Sequence, residues 1–428
     1  MVDPAQQVRE YLANDATWAA ALALIADAAW PVYVVGGTVR DALLGRSNDD
    51  LDLAVAGPAI SLARKLADGL GAAFYPLDVE RDVGRVLVQS GCRTRHIDVA
   101  ALRAEGITAD LMARDFTVNA MALQVGVPGS SLLDPTAGLD DLRHRTIRMA
   151  SSRSFDDDPA RVLRLARMRS MLQGEATAET ERMAERAAPL LARVTHERVR
   201  DELLATLALT QAAEALRYAV ERCLLDAVFG DPDDVDRLAA GIAALEALGQ
   251  WQASSAKQPL ALQSYASHLS VYWAVELTSR RPRWLLTRLA ALLAGWAQSH
   301  ATRERILARL HLSRREVEHV RGIWSGRASL TANAPTDDLG WHRYYRQFGE
   351  AGVDAAIMAL ASQECAVEVA VQALSIWFER QDEVVAPPML VTGNDLMLQL
   401  RLAPAELGGR AGALGAVALA LQAVNPQE

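Results

Sequence analysis

Two aspartates stand two residues apart in the segment Asp50-Leu51-Asp52-Leu53. Successive side chains of a β-strand point to opposite faces, so both carboxylates would project from one face while the leucines enter a core. Adjacent carboxylates repel each other unless a cation neutralises them, and such hard oxygen ligands suit Mg²⁺ that also contacts phosphates. We therefore predict that Asp50 and Asp52 bind Mg²⁺ and act in catalysis. The alternative is a solvated acidic turn.

A third carboxylate, Asp98, lies in the segment His96-Ile97-Asp98-Val99, which has the same alternation of apolar and polar side chains. If this segment is a strand beside the first one, three carboxylates face one site. That arrangement serves phosphoryl transfer by two metal ions roughly 3.5–4 Å apart. We include Asp98 among the predicted catalytic residues, although a lone aspartate on an exposed strand is usually only solvated.

A glycine pair lies upstream of these carboxylates. The segment 34–41 runs from an apolar stretch through Gly36 and Gly37 into a short predicted helix that ends near Gly45. A strand, a glycine pair and a helix N-terminus bring backbone N–H groups together, and such a place can bind a phosphate. The same pattern also occurs as ordinary turn chemistry. The glycines alone leave both interpretations open.

The apolar periodicity predicts the elements that position these side chains. Residues 1–30 have helical spacing, and the region up to about residue 150 consists of short β-branched runs separated by glycine and aspartate. Predicted strands are 32–35, 51–55, 85–89 and 96–100, and predicted helices are 60–70 and 116–123. Beyond residue 155, helix follows helix without a convincing strand. The predicted fold class is an α+β N-terminal head with a mixed β-sheet, followed by all-α regions.

Composition excludes few classes of function. The chain has 428 residues and a net charge of −9, which argues mildly against a protein that coats nucleic acid nonspecifically but leaves room for a local basic patch. We find no signal peptide and no apolar run of about 18 residues that would span a membrane. Cys92, Cys223 and Cys365 are too far apart to indicate a zinc site or a disulfide framework. A cytoplasmic location is expected.

The order of several motifs resembles that of the bacterial class II poly(A) polymerase and tRNA nucleotidyltransferase (CCA-adding enzyme) family. The segments that carry the resemblance are 36–46 with 50–52, 114–122, 133–142, 155–167 and 197–203. They extend over about residues 31–205. The rest of the chain matches loosely, chiefly at 392–396.

The resemblance implies a domain organisation and an activity. Residues 1–150 would form the nucleotidyltransferase catalytic head, 151–210 a helical neck that selects the nucleotide, 211–385 a helical RNA-binding body and 386–428 a small helical tail. The implied activity is the Mg²⁺-dependent addition of C, A or both from CTP and ATP to the 3′ end of tRNA, without a nucleic-acid template. No membrane partner is implied, and the oligomeric state stays open.

The resemblance also assigns roles to single residues. Asp50 and Asp52 correspond to the Mg²⁺ ligands of the family. The predicted nucleotide-binding residues are Gly36, Gly37, Arg40, Arg114, Asp115, Asn119, Asp158, Arg161, Arg164 and Arg167.

The segment 155–167 supports this assignment independently. Aspartates at 156 and 157 and a proline at 159 are typical of a helix start, and Asp158, Arg161 and Arg164 then recur every three residues along one stripe. A carboxylate acceptor beside a guanidinium donor can hydrogen-bond to the edge of a base. The alternative is a solvated ion pair that contributes only tenths of a kcal/mol.

Departures from the family pattern bear on the product. Ala113 stands where the family commonly has an arginine before Arg114, and Asp157 stands where it has a glutamate before Asp158. The segment 101–112 is short, and in this family a shortened loop is associated with enzymes that add C but not the terminal A. If this segment limits the enzyme, we expect the product to stop after C.

Other functions and a second RNA surface stay open. Complete CCA-end synthesis, addition of C alone, poly(A) addition to other RNAs and a catalytically silent RNA-binding protein are the alternatives. Basic and aromatic residues mix at 280–284, 303–315 and 341–346. They could hold phosphates and stack on bases, or they could form exposed arginine faces above buried aromatic ones.

Overall fold

The computed structural model of this chain describes residues 3–91, 93–103, 105–229, 234–253, 259–278, 281–297 and 299–387. They divide into two units. The first comprises Met1–Glu202 with Tyr218–Val228, and the second comprises Leu203–Arg217 with Phe229–Glu428. The motif at 392–396 and nearly all of the predicted tail lie outside the described residues. The predicted division into head, neck, body and tail stays a prediction.

A six-stranded mixed sheet organises the first unit. Its strands are β1 (Val32–Val35), β2 (Asp50–Val55), β3 (Ala73–Asp78), β4 (Val83–Ser90), β5 (Arg93–Ala101) and β6 (Ala122–Gln124). The order across the sheet is β3-β4-β5-β2-β1-β6. β2 and β5 are parallel, whereas every other neighbouring pair in this sheet is antiparallel. The four predicted strands all occur, and the predicted mixed sheet is confirmed.

One face of this sheet is covered by helix α4 (Ala59–Leu70). The side chains of Leu51, Leu53, Ile97 and Val99 are buried on that face, as the alternation in the sequence predicts. A Cβ atom at position 84, on β4, would lie 2.7 Å from the Cβ atom of Ala63, so glycine there lets α4 approach the sheet closely. The polar residues of β2 and β5 therefore point to the opposite face.

Among its described residues, the first unit contains eight further α-helices that lie wholly within it. They are α1 (Pro4–Ala13), α2 (Ala16–Ile25), α3 (Gly37–Leu43), α5 (Ile107–Met112), α6 (Gly138–Arg143), α7 (Ser154–Asp157), α8 (Arg161–Leu172) and α9 (Ala178–Ala187). A two-stranded parallel pair joins β7 (Thr146–Ile147) to β8 (Glu175–Ala176). Helices α10 (His196–Leu207) and α11 (Ala212–Glu221) contribute residues to both units, and α12 (Asp226–Phe229) follows them.

The predicted helix 116–123 is wrong. Phe116 makes an isolated bridge with Met149, a 3₁₀ turn covers Thr117–Asn119, and the chain then enters β6. Pairing with β1 takes the backbone groups that a helix would use internally. Edge strand β3 was also missed, because Pro76 interrupts its pattern. The two-residue β8 is a strand beyond residue 155 that the sequence did not indicate.

The second unit is almost entirely helical. Its helices are α13 (Asp234–Ala253), α14 (Leu260–Gln263), α15 (Ala266–Ala274), α16 (Arg283–Leu292), α17 (His300–Arg309), α18 (Arg314–Asn333), α19 (Asp338–Phe348), α20 (Ala351–Ala361) and α21 (Val367–Phe378). A short antiparallel pair links β9 (Glu276–Thr278) to β10 (Arg281–Pro282). Within the described part of the chain, no helix combines the length and apolarity needed to cross a bilayer.

The basic and aromatic segments of the second unit are largely occupied by internal contacts. Trp341, Tyr344 and Tyr345 are buried, so this aromatic cluster packs inward. Arg281 donates to the buried carboxylate of Glu316. These contacts match the alternative of arginine faces above buried aromatic ones.

Candidate active site

The open face of the sheet carries the three predicted carboxylates on two neighbouring strands. Asp50 and Asp52 extend from β2, and Asp98 extends from β5 in direct register with Asp52. Asp50 is in register with His96, whose Nδ1 atom lies 3.1 Å from the Asp50 carboxylate. The strands are therefore neighbours, which is the condition under which the three carboxylates face one site. The catalytic roles of the three aspartates stay predictions.

The surroundings of Asp52 destabilise its ionised form. Burial, and then the nearby charges of Asp98 and Asp50, raise the pKa of Asp52 to about 6, although Arg114 and Arg40 act in the opposite direction. A carboxylate in this situation gains from any cation that neutralises it. The electrostatics of the site thus favour the binding of a positively charged ion beside Asp52.

Asp98 is held by a residue that the sequence analysis did not single out. The Nε and Nη2 atoms of Arg85 on β4 each donate to one carboxylate oxygen of Asp98 at 2.6 Å. Such a bidentate pair fixes the plane of the carboxylate as well as its charge. Because Arg85 and Asp98 are register partners on β4 and β5, only knowledge of the strand pairing could have found this contact.

Two glycines make room for the charged groups around Asp52. Gly36 has a φ of 69°, and a Cβ atom there would lie 2.9 Å from Nη1 of Arg114 and 3.2 Å from Oδ2 of Asp52. A Cβ atom at Gly37 would lie 3.3 Å from Nη2 of Arg40. The absence of side chains at both positions therefore lets two arginines and one aspartate converge at the start of α3.

Thr38 fixes the start of α3 to β2. Its hydroxyl accepts a hydrogen bond from the backbone nitrogen of Asp52 at 2.9 Å and donates to the carbonyl of Asp50 at 3.3 Å. The side chain is fully buried. The turn that follows β1 is consequently fixed to the strand that carries the two aspartates. Nothing in the sequence around Thr38 indicated this role.

A buried aspartate orients Arg114. Oδ2 of Asp110 accepts from Nη2 and Nε of Arg114 at 3.2 and 3.3 Å, and Oδ1 accepts from the backbone nitrogen of Arg103. Asp110 lies on α5 with only 2% of its surface exposed. Since Nη1 of Arg114 takes no part in this pair, it stays directed toward Gly36. The short segment 101–112 therefore helps to position Arg114.

The predicted residues Arg40, Asn119 and Asp115 form one hydrogen-bonded chain. Nη1 of Arg40 donates to Oδ1 of Asn119, and Nδ2 of Asn119 donates to Oδ1 of Asp115 at 3.0 Å. The other oxygen of Asp115 accepts from Nη1 of Arg164 at 2.9 Å. Burial would raise the pKa of Asp115, but Arg164 and these hydrogen bonds outweigh it and hold the pKa far below its ordinary value.

Glu202, on α10, extends this hydrogen-bonded chain by joining Arg164 to Arg167 of α8. Nε of Arg164 donates to Oε1 of Glu202 at 2.8 Å, and Nη2 of Arg167 donates to Oε2 at 3.1 Å. Glu202 lies in the motif at the end of the resembling region but was not predicted as a site residue. Its carboxylate neutralises two partly buried arginines at once.

The prediction that Asp158, Arg161 and Arg164 lie along one continuous helix is wrong, because the helix is broken at Asp158. α7 ends at Asp157, and Asp158 has an extended backbone with φ −148° and ψ 93° before α8 begins at Arg161. Pro159 lies in this break and disfavours helical geometry at the residue before it. The Asp158 carboxylate accepts from Nη2 of Arg198 at 2.8 and 2.9 Å and lies 3.8 Å from Nε of Arg161.

Arg161 is committed mainly to the backbone. Its Nη2 donates to the carbonyl of Ala113 at 2.9 Å, and its Nη1 donates to the carbonyls of Ser154 at 3.1 Å and Arg114 at 3.3 Å. Burial lowers its pKa. The residue therefore braces the turn that precedes Arg114, and the recognition of a base by Arg161 stays a prediction.

The donor set on the open face fits a divalent cation. Asp50 and Asp52 offer hard oxygen ligands beside two arginines that are suited to phosphates. Among the described residues, no group of three His, Cys, Asp or Glu side chains forms a complete metal cage. Mg²⁺ in nucleotide sites typically binds one or two carboxylates and completes its shell with phosphate oxygens and water, so two aspartates suffice.

Known proteins resemble the chain in sequence and in fold. Residues 32–148 match the family described as "Poly A polymerase head domain", and residues 177–234 match "Probable RNA and SrmB- binding site of polymerase A". The CC-adding tRNA nucleotidyltransferase of Geobacter sulfurreducens is 32% identical over 89% of this chain and 85% of its own length. The A-adding tRNA nucleotidyltransferase of Deinococcus radiodurans is 30% identical over 92% of this chain and 93% of its own length.

The fold agrees with these matches. A solved complex of a CCA-adding enzyme with CTP has a TM-score of 0.64 and 20% identity, and the similarity covers 96% of this chain and 93% of that one. A relative that is 32% identical and matched over most of its length is sufficient to establish membership. The chain belongs to the poly(A) polymerase and tRNA nucleotidyltransferase family.

Proposed function

We propose that the protein transfers nucleotides from CTP, ATP or both to the 3′ end of tRNA. The observation that carries this proposal is the convergence of Asp50 and Asp52 with Arg114 and Arg40 at the start of α3, where two glycines let these charged groups approach one another. The two full-length relatives, one CC-adding and one A-adding, support tRNA as the acceptor.

Asp50 and Asp52 would hold Mg²⁺, which when bound would neutralise the phosphates and activate the RNA hydroxyl. The chain's own residues do the positioning. Arg114, oriented by Asp110, and Arg40, oriented by Asn119, bind the triphosphate oxygens. Their guanidinium groups are fixed before the nucleotide arrives, so little ordering is needed on binding.

The base of the incoming nucleotide would be selected between α7 and α8. The Asp158 carboxylate, on exchanging Arg198 for the base, accepts a hydrogen bond from an exocyclic amine. Arg161 offers Nε, which its contacts with backbone carbonyls do not use, to the acceptor beside that amine. Cytosine and adenine both carry such an amine next to an acceptor. Uracil and guanine present other patterns on the same edge, so this pair of residues supports selection of C and A.

Of the possible products, the observations favour addition of C without the terminal A. Only five residues, 102–106, separate the end of β5 from the start of α5, and the resemblance associates a short loop with enzymes of this kind. The Geobacter sulfurreducens relative is CC-adding. The second candidate is addition of A, which the similarity to the Deinococcus radiodurans protein supports. We propose the cytoplasm as its location.

One experiment separates these products from one another. The protein is incubated with Mg²⁺, a tRNA that lacks its 3′ end, and each nucleoside triphosphate in turn. Two added C residues and no A are expected. Efficient addition of A to tRNA ending in CC would establish the second candidate, long A tails would indicate a poly(A) polymerase, and no product with any triphosphate would overturn the proposal.

A further inference from the structure

A row of four side chains crosses the open face of the sheet. Asp52 on β2 is in register with Asp98 on β5, Asp98 with Arg85 on β4, and Arg85 with Tyr75 on edge strand β3. Residues in direct register project to the same face of a sheet. The carboxylates at the centre of the sheet are therefore connected, through one arginine, to an aromatic ring at its edge.

The two sides of Asp52 differ. On the side of β1 and α3 lie Gly36 and Arg114, the proposed place of the triphosphate. On the other side lie Asp98 and Arg85. In phosphoryl transfer the attacking and leaving oxygens are roughly in line, on opposite sides of the phosphorus. If the triphosphate lies toward α3, the attacking 3′ hydroxyl of the RNA approaches over β5, β4 and β3.

The outer end of the row has the chemistry of a nucleotide platform. Tyr75 is 38% exposed although its side chain is large and aromatic. An unpaired base stacks on an aromatic ring of this kind whatever its identity. Between ring and carboxylates, Arg85 donates from Nε and Nη2 to Asp98 and also interacts with the Tyr75 side chain, so one guanidinium group connects the two residues.

We propose that Tyr75 and Arg85 form the subsite for the 3′-terminal nucleotide of the RNA acceptor. Tyr75 stacks on its base, and Arg85 contacts its ribose or phosphate while it holds Asp98. The proposal rests on the proposed nucleotidyl transfer, because it takes the acceptor to be RNA. A base-independent platform suits an acceptor whose last nucleotide differs from one tRNA to another.

Stacking can be measured directly, without turnover. The probe is an RNA minihelix, shaped as the acceptor end of tRNA without its added nucleotides, whose last nucleotide is the fluorescent base 2-aminopurine. We expect the wild-type protein to quench it, Tyr75→Ala to abolish the quenching, and Tyr75→Phe, which keeps the ring, to restore most of it. Equal quenching by the wild-type protein and Tyr75→Ala would overturn the proposal.

Kinetics provide the second test. Tyr75→Ala should raise KM for the RNA about 5- to 100-fold, the range expected for one lost stacked base, and should leave KM for CTP unchanged. Arg85→Lys should lower kcat as well, since it loosens Asp98. The matched control is Val79→Ala, which removes a more exposed apolar side chain just beyond β3 and should leave both KM values unchanged.

Failure of this proposal can be told from failure of the proposed function. If the wild-type protein adds nucleotides but Tyr75→Ala has the KM and the quenching of the wild type, the subsite is wrong and the function stands. If the wild-type protein quenches the probe but adds nothing with any triphosphate, the subsite stands as an RNA-binding site and the proposed function is wrong.

Discussion

Nη1 of Arg40 donates a 2.6 Å hydrogen bond to Oδ1 of Asn119, a residue 79 positions away in the sequence. Both side chains are buried. The contact joins α3, at the proposed triphosphate site, to the chain of hydrogen bonds that runs through Asp115 to Arg164 in α8. The phosphate end and the base-selecting end of the proposed nucleotide site are therefore linked by one continuous polar network.

Replacing the central residue of this network should affect both stability and substrate affinity. Asn119→Ala leaves buried hydrogen-bonding groups of Arg40 and Asp115 without their partner, which typically costs about 1–3 kcal/mol. We expect a lower unfolding midpoint and a higher KM for CTP. Gln89→Ala, which removes an exposed 3.0 Å hydrogen bond to Thr94 outside the network, is the control and should change both quantities less. If Asn119→Ala and the control changed the unfolding midpoint and the KM for CTP equally, the network would not extend to the bound nucleotide.

Asp52→Asn should abolish nucleotide addition and at the same time stabilise the metal-free protein. The pKa of Asp52 is raised from 3.8 to about 6. Below pH 4 the Asp52 carboxyl group becomes protonated in both the folded and the unfolded state. As the pH rises to 6 the unfolded state ionises first, so the folded state loses up to about 3 kcal/mol relative to it. Asparagine removes this penalty.

The measurement for Asp52→Asn is the free energy of unfolding at pH 7.5 and at pH 4, with a chelator present. The gain over the wild type should be large at pH 7.5 and small at pH 4. Asp49→Asn, at a half-exposed neighbouring carboxylate, should show little gain at either pH. A destabilised Asp52→Asn protein, or near-normal turnover, would contradict the assignment of Asp52.

The loss of folding stability at acid pH should depend on Asp115. The effect of its ionisation on stability is opposite in sign to that of Asp52. Its pKa is held far below the ordinary value by Arg164 despite burial. The stabilisation is therefore complete above the ordinary aspartate pKa of about 4 and is lost as the pH falls toward the lower folded value. Asp115→Asn should be less stable than the wild type at pH 7 by about 3 kcal/mol, as expected for a broken buried pair, and the difference should shrink in acid. A difference that is constant with pH would remove ionisation as its cause.

Nucleotide choice should change when Asp158 is replaced. Asp158→Ala removes an acceptor from the base site, which typically costs about 1–3 kcal/mol, or tenfold to a hundredfold in selectivity. U and G should enter more readily, as misincorporation ratios for all four triphosphates would reveal. Asp157→Ala, which removes only an exposed ion pair with Arg153, is the control and should keep the wild-type ratios. If Asp158→Ala slows the addition of all four nucleotides equally and leaves the misincorporation ratios unchanged, the contact of Asp158 with Arg198 has a structural role and Asp158 does not select the base.

The sequence predicted the carboxylates well because their signal is local. Asp50, Asp52 and Asp98 each alternate with buried residues, and a period of two is sufficient to place each of them on the polar face of its own strand. Arg85 and Asp110 could not be predicted in the same way. Their partners are chosen by strand register and by the packing of a short helix, and neither property is encoded in a few adjacent residues.

The errors have a related cause. The apolar spacing of 116–123 is compatible with a helix, yet the free edge of β1 captures residues 122–124 as a strand. At 158 the proline that suits a helix start also ends the preceding short helix, so Asp158 leaves the predicted stripe and becomes reachable by Arg198. In both places tertiary contacts outweigh the local preference.

The parallel pairing of β2 with β5 has a consequence for the order in which the protein can be made. Residues 59–90 form α4, β3 and β4 between these two strands, because a parallel neighbour requires a long crossover connection. A growing chain on the ribosome therefore exposes its first two aspartates well before the third has been translated. A fragment that ends before Asp98 lacks the complete carboxylate face, and one that ends before β6 also lacks the last strand of the sheet, so the site is completed only after both segments have been made.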